Sequence, residues 1–210
     1  MFKKPIIVFE GIESSGKSLH IKNLTNYLKK KKIKFIKIRE PGGSKNAEII
    51  RKLILNKKST FNYKTDLLLY LASRNENIEN IIKKNHKKKI ILIDRFIDST
   101  YAYQHYGMGL DIDIIRTLNS YITNNIKIDY TFLHTVNKKN LKKRLLQRKI
   151  LNRYDKFTYN FYKRVQNGFI KIAKKNKKKY LLINSNNEIF ENKKIIIKKI
   201  NELLKIKWTY

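Results

Sequence analysis

The chain has 210 residues, enough for one large domain, here taken as 1–210, whose core needs no covalent staples. It contains no cysteine, which excludes disulfides and thiolate metal sites. Lys and Arg number 49 against 16 Asp and Glu, a formal charge of +33 that raises the question of nucleic-acid binding.

Apolar runs alternate with amphipathic stretches along the chain. Ile6 to Phe9 reads as a short buried strand, too short for a signal-peptide core and followed by Glu10. Ser18 to Lys31 has helical spacing, with Leu19, Leu24 and Leu28 among its apolar positions. Ile33 to Ile38 is a second strand, and Ala47 to Leu55 and Thr65 to Lys83 are helical. Ile90 to Ile93 is a third strand, Asp111 to Tyr121 a helix and Tyr130 to Val136 extended. Lys138 to Lys149 reads as a basic helix and Asp155 to Lys174 as another. Tyr180 to Ile183 is a strand, and Glu188 to Lys205 a closing helix. Short apolar strands separated by helices predict an α/β fold of three layers, a parallel sheet covered on both faces. No window approaches the roughly 20 apolar residues of a membrane span, so a soluble, cytoplasmic protein is expected.

The charge has a bland explanation. Asn and Ile are abundant along with Lys, as compositional drift toward A/T-rich codons produces. The lysines at 29–32, 83–84 and 174–179 (Asn176 excepted) fall at predicted helix C-termini, where cations suit the dipole. Drift is the favoured reading, and nucleic acid is not expected as a partner.

Gly11 to Ser18 reads GIESSGKS and matches G-x-x-x-x-G-K-[ST], the P-loop. Gly11 and Gly16 allow backbone angles other residues resist. The N–H groups of Ile12, Glu13, Ser14, Ser15 and Gly16, with the helix start behind them, face an anion. Lys17 reaches the β- and γ-phosphates of ATP, and Ser18 holds Mg²⁺. The strand before the loop and the helix after it supply the context the motif requires. Ile90 to Arg95 reads IILIDR. An Asp ending a buried strand lies at the ligand-binding edge of such a sheet, so Asp94 is a second candidate for the magnesium shell. Arg95 can fork onto a phosphate.

Further stretches carry the choice among P-loop proteins: REPGGS at 39–44, LLLYLASRN at 67–75, DRFIDSTYAYQ at 94–104, GMGL at 107–110 and DYTF at 129–132. Together they resemble bacterial thymidylate kinases in order and spacing, from Ile6 to about Asn184. The resemblance implies strand order 2-3-1-4-5, a short helical lid, a homodimer, and the reaction ATP + dTMP to ADP + dTDP. It also implies roles for single residues. Glu13 contacts the sugar 3′-hydroxyl, Tyr70 stacks on thymine, and Arg74 recognises the base. Arg95 and Arg51 meet the acceptor phosphate, while Ser99, Tyr103 and Gln104 contact the nucleoside. The lid is expected at 144–163, where Arg148 and Arg153 are candidates to neutralise the transferring phosphoryl group. No base occupies the loop positions Glu13 to Ser15, which is the bacterial arrangement.

The sequence departs from the family's usual pattern at several places. Ser14 stands for Gly, tolerable if its backbone is not left-handed. Ser44 stands for Thr, Met108 for an Arg, Ile128 for Pro, His134 for Leu and Thr135 for Asp. Of these, Met108 bears most on activity. Two other readings stay open. Another nucleoside monophosphate or deoxynucleoside kinase could share the core, with Glu40 as base for a neutral acceptor. A nucleic-acid-binding P-loop ATPase would gain from the charge.

Overall fold

The structure is a computed structural model and describes residues 4–124, 126–147, 154 and 157–205. Five parallel strands form one sheet in the order β2-β3-β1-β4-β5, as the resemblance implies. They are β1 (Ile6–Gly11), β2 (Phe35–Arg39), β3 (Ile90–Asp94), β4 (Tyr130–Thr135) and β5 (Tyr180–Asn184). The helices between them are α1 (Lys17–Lys30), α2 (Lys45–Leu55), α3 (Tyr63–Asn77), α4 (Lys83–Asn85), α5 (Ile97–Thr100), α6 (Ile112–Thr123), α7 (Lys138–Leu146) and α8 (Tyr159–Lys175). After β5, α9 (Ile189–Leu204) ends the described chain.

β1 shows why its sequence reads as one unbroken apolar run. Alternate side chains point to opposite faces, and both faces are covered. Ile7 and Phe9 pack with Leu24 and Leu28 of α1 and Ile196 and Ile200 of α9. Ile6 and Val8 pack on the other side with Ile91, Ile93, Ile78 and Ile82. A third cluster joins Leu133 and Val136 to Tyr162, Val165 and Phe169 of α8.

Capping sets several helix starts. Asn62 accepts from the Thr65 N–H at 2.9 Å, so α3 begins before the expected Thr65. Thr158 accepts from Phe161 N–H, and α8 therefore starts at Tyr159 rather than at Asp155. The expected helix 65–83 is not one regular element. α3 gives way to a π-helical turn at Ile78–Ile82 before α4. A second π-helical segment, Tyr101–Gly107, continues α5 where the sequence pattern assigned no element. Such wide turns recur at functional sites because they rotate side chains off the helical register.

Candidate active site

The P-loop leaves β1 at Gly11, whose φ of 139° only glycine holds comfortably. A Cβ there would lie 2.3 Å from the His134 carbonyl of the adjacent strand, so the loop must start with glycine. Ser14, at the crest, has φ of 54°. This overturns the condition attached to it: the backbone is left-handed, and serine sits where glycine would be unstrained.

Lys17 is buried, and its Nζ donates to the carbonyls of Gly11 at 2.9 Å and Ile12 at 2.8 Å. Burial, then the neighbouring Arg95 guanidinium, push it down to about 8. Ser18 Oγ lies 3.4 Å from Asp94 Oδ2, which joins the two expected magnesium ligands between the start of α1 and the end of β3. Among the described residues no group of three His, Cys, Asp or Glu could hold a metal by itself. One hydroxyl and one carboxylate fit an ion held mainly by phosphate and water, as Mg²⁺ prefers.

Beside the loop opens a cleft of about 370 Å³. It collects all the expected acceptor residues: Glu13, Arg51, Tyr70, Arg74, Arg95, Ser99, Tyr103 and Gln104 line it, with Lys17, Ser18 and Asp94 at the loop side. These positions come from the P-loop, α2, α3, the end of β3 and the helical turn after it. Their convergence follows from a parallel sheet, whose strands all deliver their carboxyl ends to one edge.

Arg95 stands at the centre with φ of 68°. Its guanidinium donates to Gly11 O at 2.8 Å and to Glu13 at 3.0 Å, and it lies 5.2 Å from the centre of the Tyr103 ring. The Tyr103 hydroxyl donates to the other oxygen of Glu13. Burial raises the Tyr103 phenol well above its ordinary value, so it stays a donor. Arg74 is almost wholly buried. Its Nε donates to Glu40 at 2.8 Å, one terminal nitrogen to Asn119 and the other to the Phe96 carbonyl at 2.9 Å. Three of its five N–H bonds are thus engaged, and the residue lines the cleft. Glu40, the base the deoxynucleoside-kinase reading requires, is committed to this ion pair.

Three features escaped the sequence. Tyr154, within the expected lid, lines the cleft and meets Tyr70 edge to face at 6.1 Å. Its hydroxyl donates to Asp66 at 3.1 Å. Arg144, at the end of α7, donates to Ser14 O at 3.2 Å and Ser185 O at 2.7 Å, over the P-loop. Glu10 is fully buried behind the loop and accepts from Phe96 N–H at 2.8 Å. An aromatic between lid cations and an acid inside an apolar strand were the available signals. Met108 packs against the α8 cluster, and the adjacent Gly107 carbonyl accepts from Arg164 at 3.0 Å. Arg148 and Arg153 lie outside the described residues.

The family model described as thymidylate kinase matches residues 9–196. A thymidylate kinase of Sulfurihydrogenibium sp. is 40% identical over 198 residues, covering 93% of this chain and 96% of that one. A thymidylate kinase of Thermoanaerobacter sp. is 34% identical over 203 residues, covering 96% of this chain and all of the other. The crystal structure of thymidylate kinase from Ehrlichia chaffeensis superposes with a TM-score of 0.77 at 33% identity, over 95% of this chain and 99% of that one. A match that spans the P-loop, the cleft and the returning helices alike makes this chain a member of the thymidylate kinase family.

Proposed function

We propose that the chain transfers the γ-phosphoryl group of ATP to dTMP, giving ADP and dTDP, in a single domain spanning 1–210. The observation that carries this reading is the shared cleft: Lys17 of the P-loop and Arg95 of the acceptor side line one cavity. ATP lies along Gly11 to Ser18 with its β- and γ-phosphates at Lys17. Ser18 and Asp94 would hold Mg²⁺, which would draw charge from the transferring group. The acceptor phosphate meets Arg95 and Arg51. Attack needs no general base, because the acceptor oxygen is already anionic at neutral pH. Orientation and charge neutralisation do the work.

The nucleoside lies between Tyr70 and the wall of Arg74, Ser99, Tyr103 and Gln104. Glu13, held by Arg95 and Tyr103, offers a carboxylate to the sugar 3′-hydroxyl and repels any further phosphate there. Arg148 and Arg153, within the lid expected at 144–163, are the residues proposed to neutralise the transferring group. Arg144 supports this, because it ties the helix leading into the lid to the P-loop itself.

We further propose a homodimer in the cytoplasm. Three adjoining helices expose large apolar side chains: Ile49 and Leu53 on α2, Leu68 on α3, Ile114 and Tyr121 on α6. Tyr121 is 84% exposed. A face of this kind suits self-complementary pairing about a two-fold axis. No helix among the described residues is long and apolar enough to cross a membrane, and a cysteine-free chain suits a reducing compartment.

The test is ADP release from ATP and Mg²⁺ with dTMP, dUMP, dCMP, AMP, GMP and thymidine offered separately. Turnover is expected with dTMP above all others and to vanish in Lys17→Ala. Preference for another monophosphate would remove the substrate assignment while leaving the phosphoryl-transfer site. Light scattering of Leu68→Glu, expected to be monomeric, checks the dimer.

A further inference from the structure

The lysine runs that the sequence distributes among helix ends are not distributed in space. Every strand of the sheet is parallel. The last helix before each later strand, α1, α4, α6 and α8, must therefore return to the same edge, opposite the cleft. All strand starts and the ends of the returning helices fall on one face.

That face is lined with lysine. Lys4 precedes β1, Lys34 β2, Lys89 β3, Lys127 β4 and Lys179 β5. Hydrogen bonds tie these starts together. Ile90 N–H donates to Lys34 O at 3.1 Å, Asp129 N–H to Ile6 O at 3.0 Å, and Lys179 Nζ to Ile128 O at 3.2 Å. The ends of α1, α4 and α8 add exposed lysines at 29–32, 83–84 and 174–175, and the loops add more at 87–88 and 177–178. The acids at this end are engaged: Glu79 pairs with Lys83, Glu202 with Lys199, and Asp129 accepts from the Ile6 N–H. Helix dipoles do not neutralise the face, since each helix end carries only about half a negative charge.

Five strands spaced about 4.8 Å apart make a row of about 19 Å. Along that length a B-form duplex presents roughly eleven phosphates. Two absences within the described residues narrow the partner. The aromatics that open the strands here are engaged in the fold: Phe35 and Tyr130 pack in the core, and Tyr180 packs beside α8 with its hydroxyl donating to Asp98, so single-stranded bases find no free ring to stack on. Ile33, Ile126 and Ile128 are turned onto the core, so no large apolar side chain is offered to a bilayer.

We propose that this lysine face binds the phosphate backbone of duplex nucleic acid without sequence preference, independently of the nucleotide cleft.

The experiment measures binding of the full chain to a 30-base-pair DNA duplex between 50 and 300 mM salt, beside a single strand of equal length and vesicles containing anionic lipid. Log Kd is expected to vary linearly with log salt. The variant Lys34→Gln, Lys88→Gln, Lys127→Gln, Lys178→Gln should bind the duplex about tenfold more weakly, with a slope shallower by about 3. Its phosphoryl-transfer rate should be unchanged. The control Lys45→Gln, Lys52→Gln, Lys57→Gln, Lys58→Gln removes the same charge elsewhere and should bind within about twofold of the parent. Equal weakening in both variants would reduce the effect to net charge and overturn the proposal. So would displacement of the duplex by ATP with dTMP, absence of binding at 50 mM salt, or tighter binding to the single strand or the vesicles.

Discussion

The Ser99 hydroxyl donates to Glu10 at 2.6 Å, and this contact fixes how the acceptor-side arginine is held. Glu10 also accepts from the N–H groups of Phe96 and Ser99, at 2.8 and 3.2 Å. It therefore clamps both ends of the turn that begins beside Arg95. Ser99, expected from the family resemblance to contact the nucleoside, lines the cleft while its hydroxyl is held by Glu10 and receives Arg95 at 3.4 Å. The buried acid is a brace for the phosphate-binding arginine.

Burial, then the Asp98 carboxylate, push Glu10 up to about 8. The folded protein thus keeps a proton that the unfolded chain releases above about 4.5. That contribution to stability is present at low pH and is lost as pH rises through about 8, at up to ~1.4 kcal/mol per pH unit. Glu10→Gln keeps an acceptor and the shape but cannot titrate. Urea unfolding from pH 5 to 8 should show the parent losing stability relative to Glu10→Gln as pH rises. Parallel curves would mean the acid is ionised when folded. Glu10→Ala, which strands the buried Phe96 N–H, should cost about 1–3 kcal/mol at pH 5 and less as pH rises toward 8.

Lys17 carries a pH signature of its own. Its ammonium is pushed down to about 8, so a growing fraction is neutral above that pH. A polyphosphate binds the charged form. Calorimetric titration with ATP and Mg²⁺ from pH 7.5 to 9.5 should show affinity falling with pH, approaching tenfold per unit at the alkaline end. In Lys17→Met the affinity should be weak and nearly independent of pH. A pH-independent affinity in the parent would contradict the assignment of Lys17 to the phosphates.

Much of this site was legible before any coordinates. The P-loop is a local pattern whose backbone demands are written in its glycines. The sheet order and the cleft residues followed from the family resemblance. What stayed hidden depends on distances between segments far apart in the chain. Nothing in the sequence couples Glu10 to Ser99, or Arg144 to the Ser14 carbonyl. The π-helical turn at Tyr101–Gly107 breaks the 3.6-residue period, so no periodicity announced it. The lysine runs looked scattered because their convergence is a property of parallel topology and not of any window of residues.

Ser14 offers a test of strain at the P-loop crest. With φ of 54° it holds a conformation that costs an L-residue roughly 1 kcal/mol or more. Its carbonyl accepts from Arg144, an interaction the side chain does not take part in. Ser14→Gly should therefore raise stability by about 0.5–1 kcal/mol, less the entropy glycine adds to the unfolded chain. Ser14→Val, β-branched at a left-handed position, should lower it by more than ~1 kcal/mol. Thermal unfolding of the three proteins checks the order Gly, Ser, Val. Any other order would show that the loop relaxes to a right-handed backbone.

Beneath the same loop, His20 of α1 and His134 of β4 stack with ring centres 5.3 Å apart, both buried. His134 reaches Ser185 Oγ at 3.3 Å through Nδ1, and its Nε2 has no hydrogen-bond partner among the described residues. Burial, then His20 and Lys17, hold His134 well below the usual histidine range, and burial lowers His20 too. Both hold a proton less readily in the folded protein than in the unfolded chain, so protons are taken up on unfolding below about 6.5. Stability is therefore full above that pH and falls as pH drops beneath it, by up to ~1.4 kcal/mol per unit for each ring. His134→Leu restores the family's usual residue and removes an unpaired buried nitrogen. Its melting temperature should exceed the parent's more at pH 5.5 than at pH 8. An advantage of equal size at both would show that His134 titrates alike in the folded and unfolded protein, and would locate the acid sensitivity of this fold elsewhere.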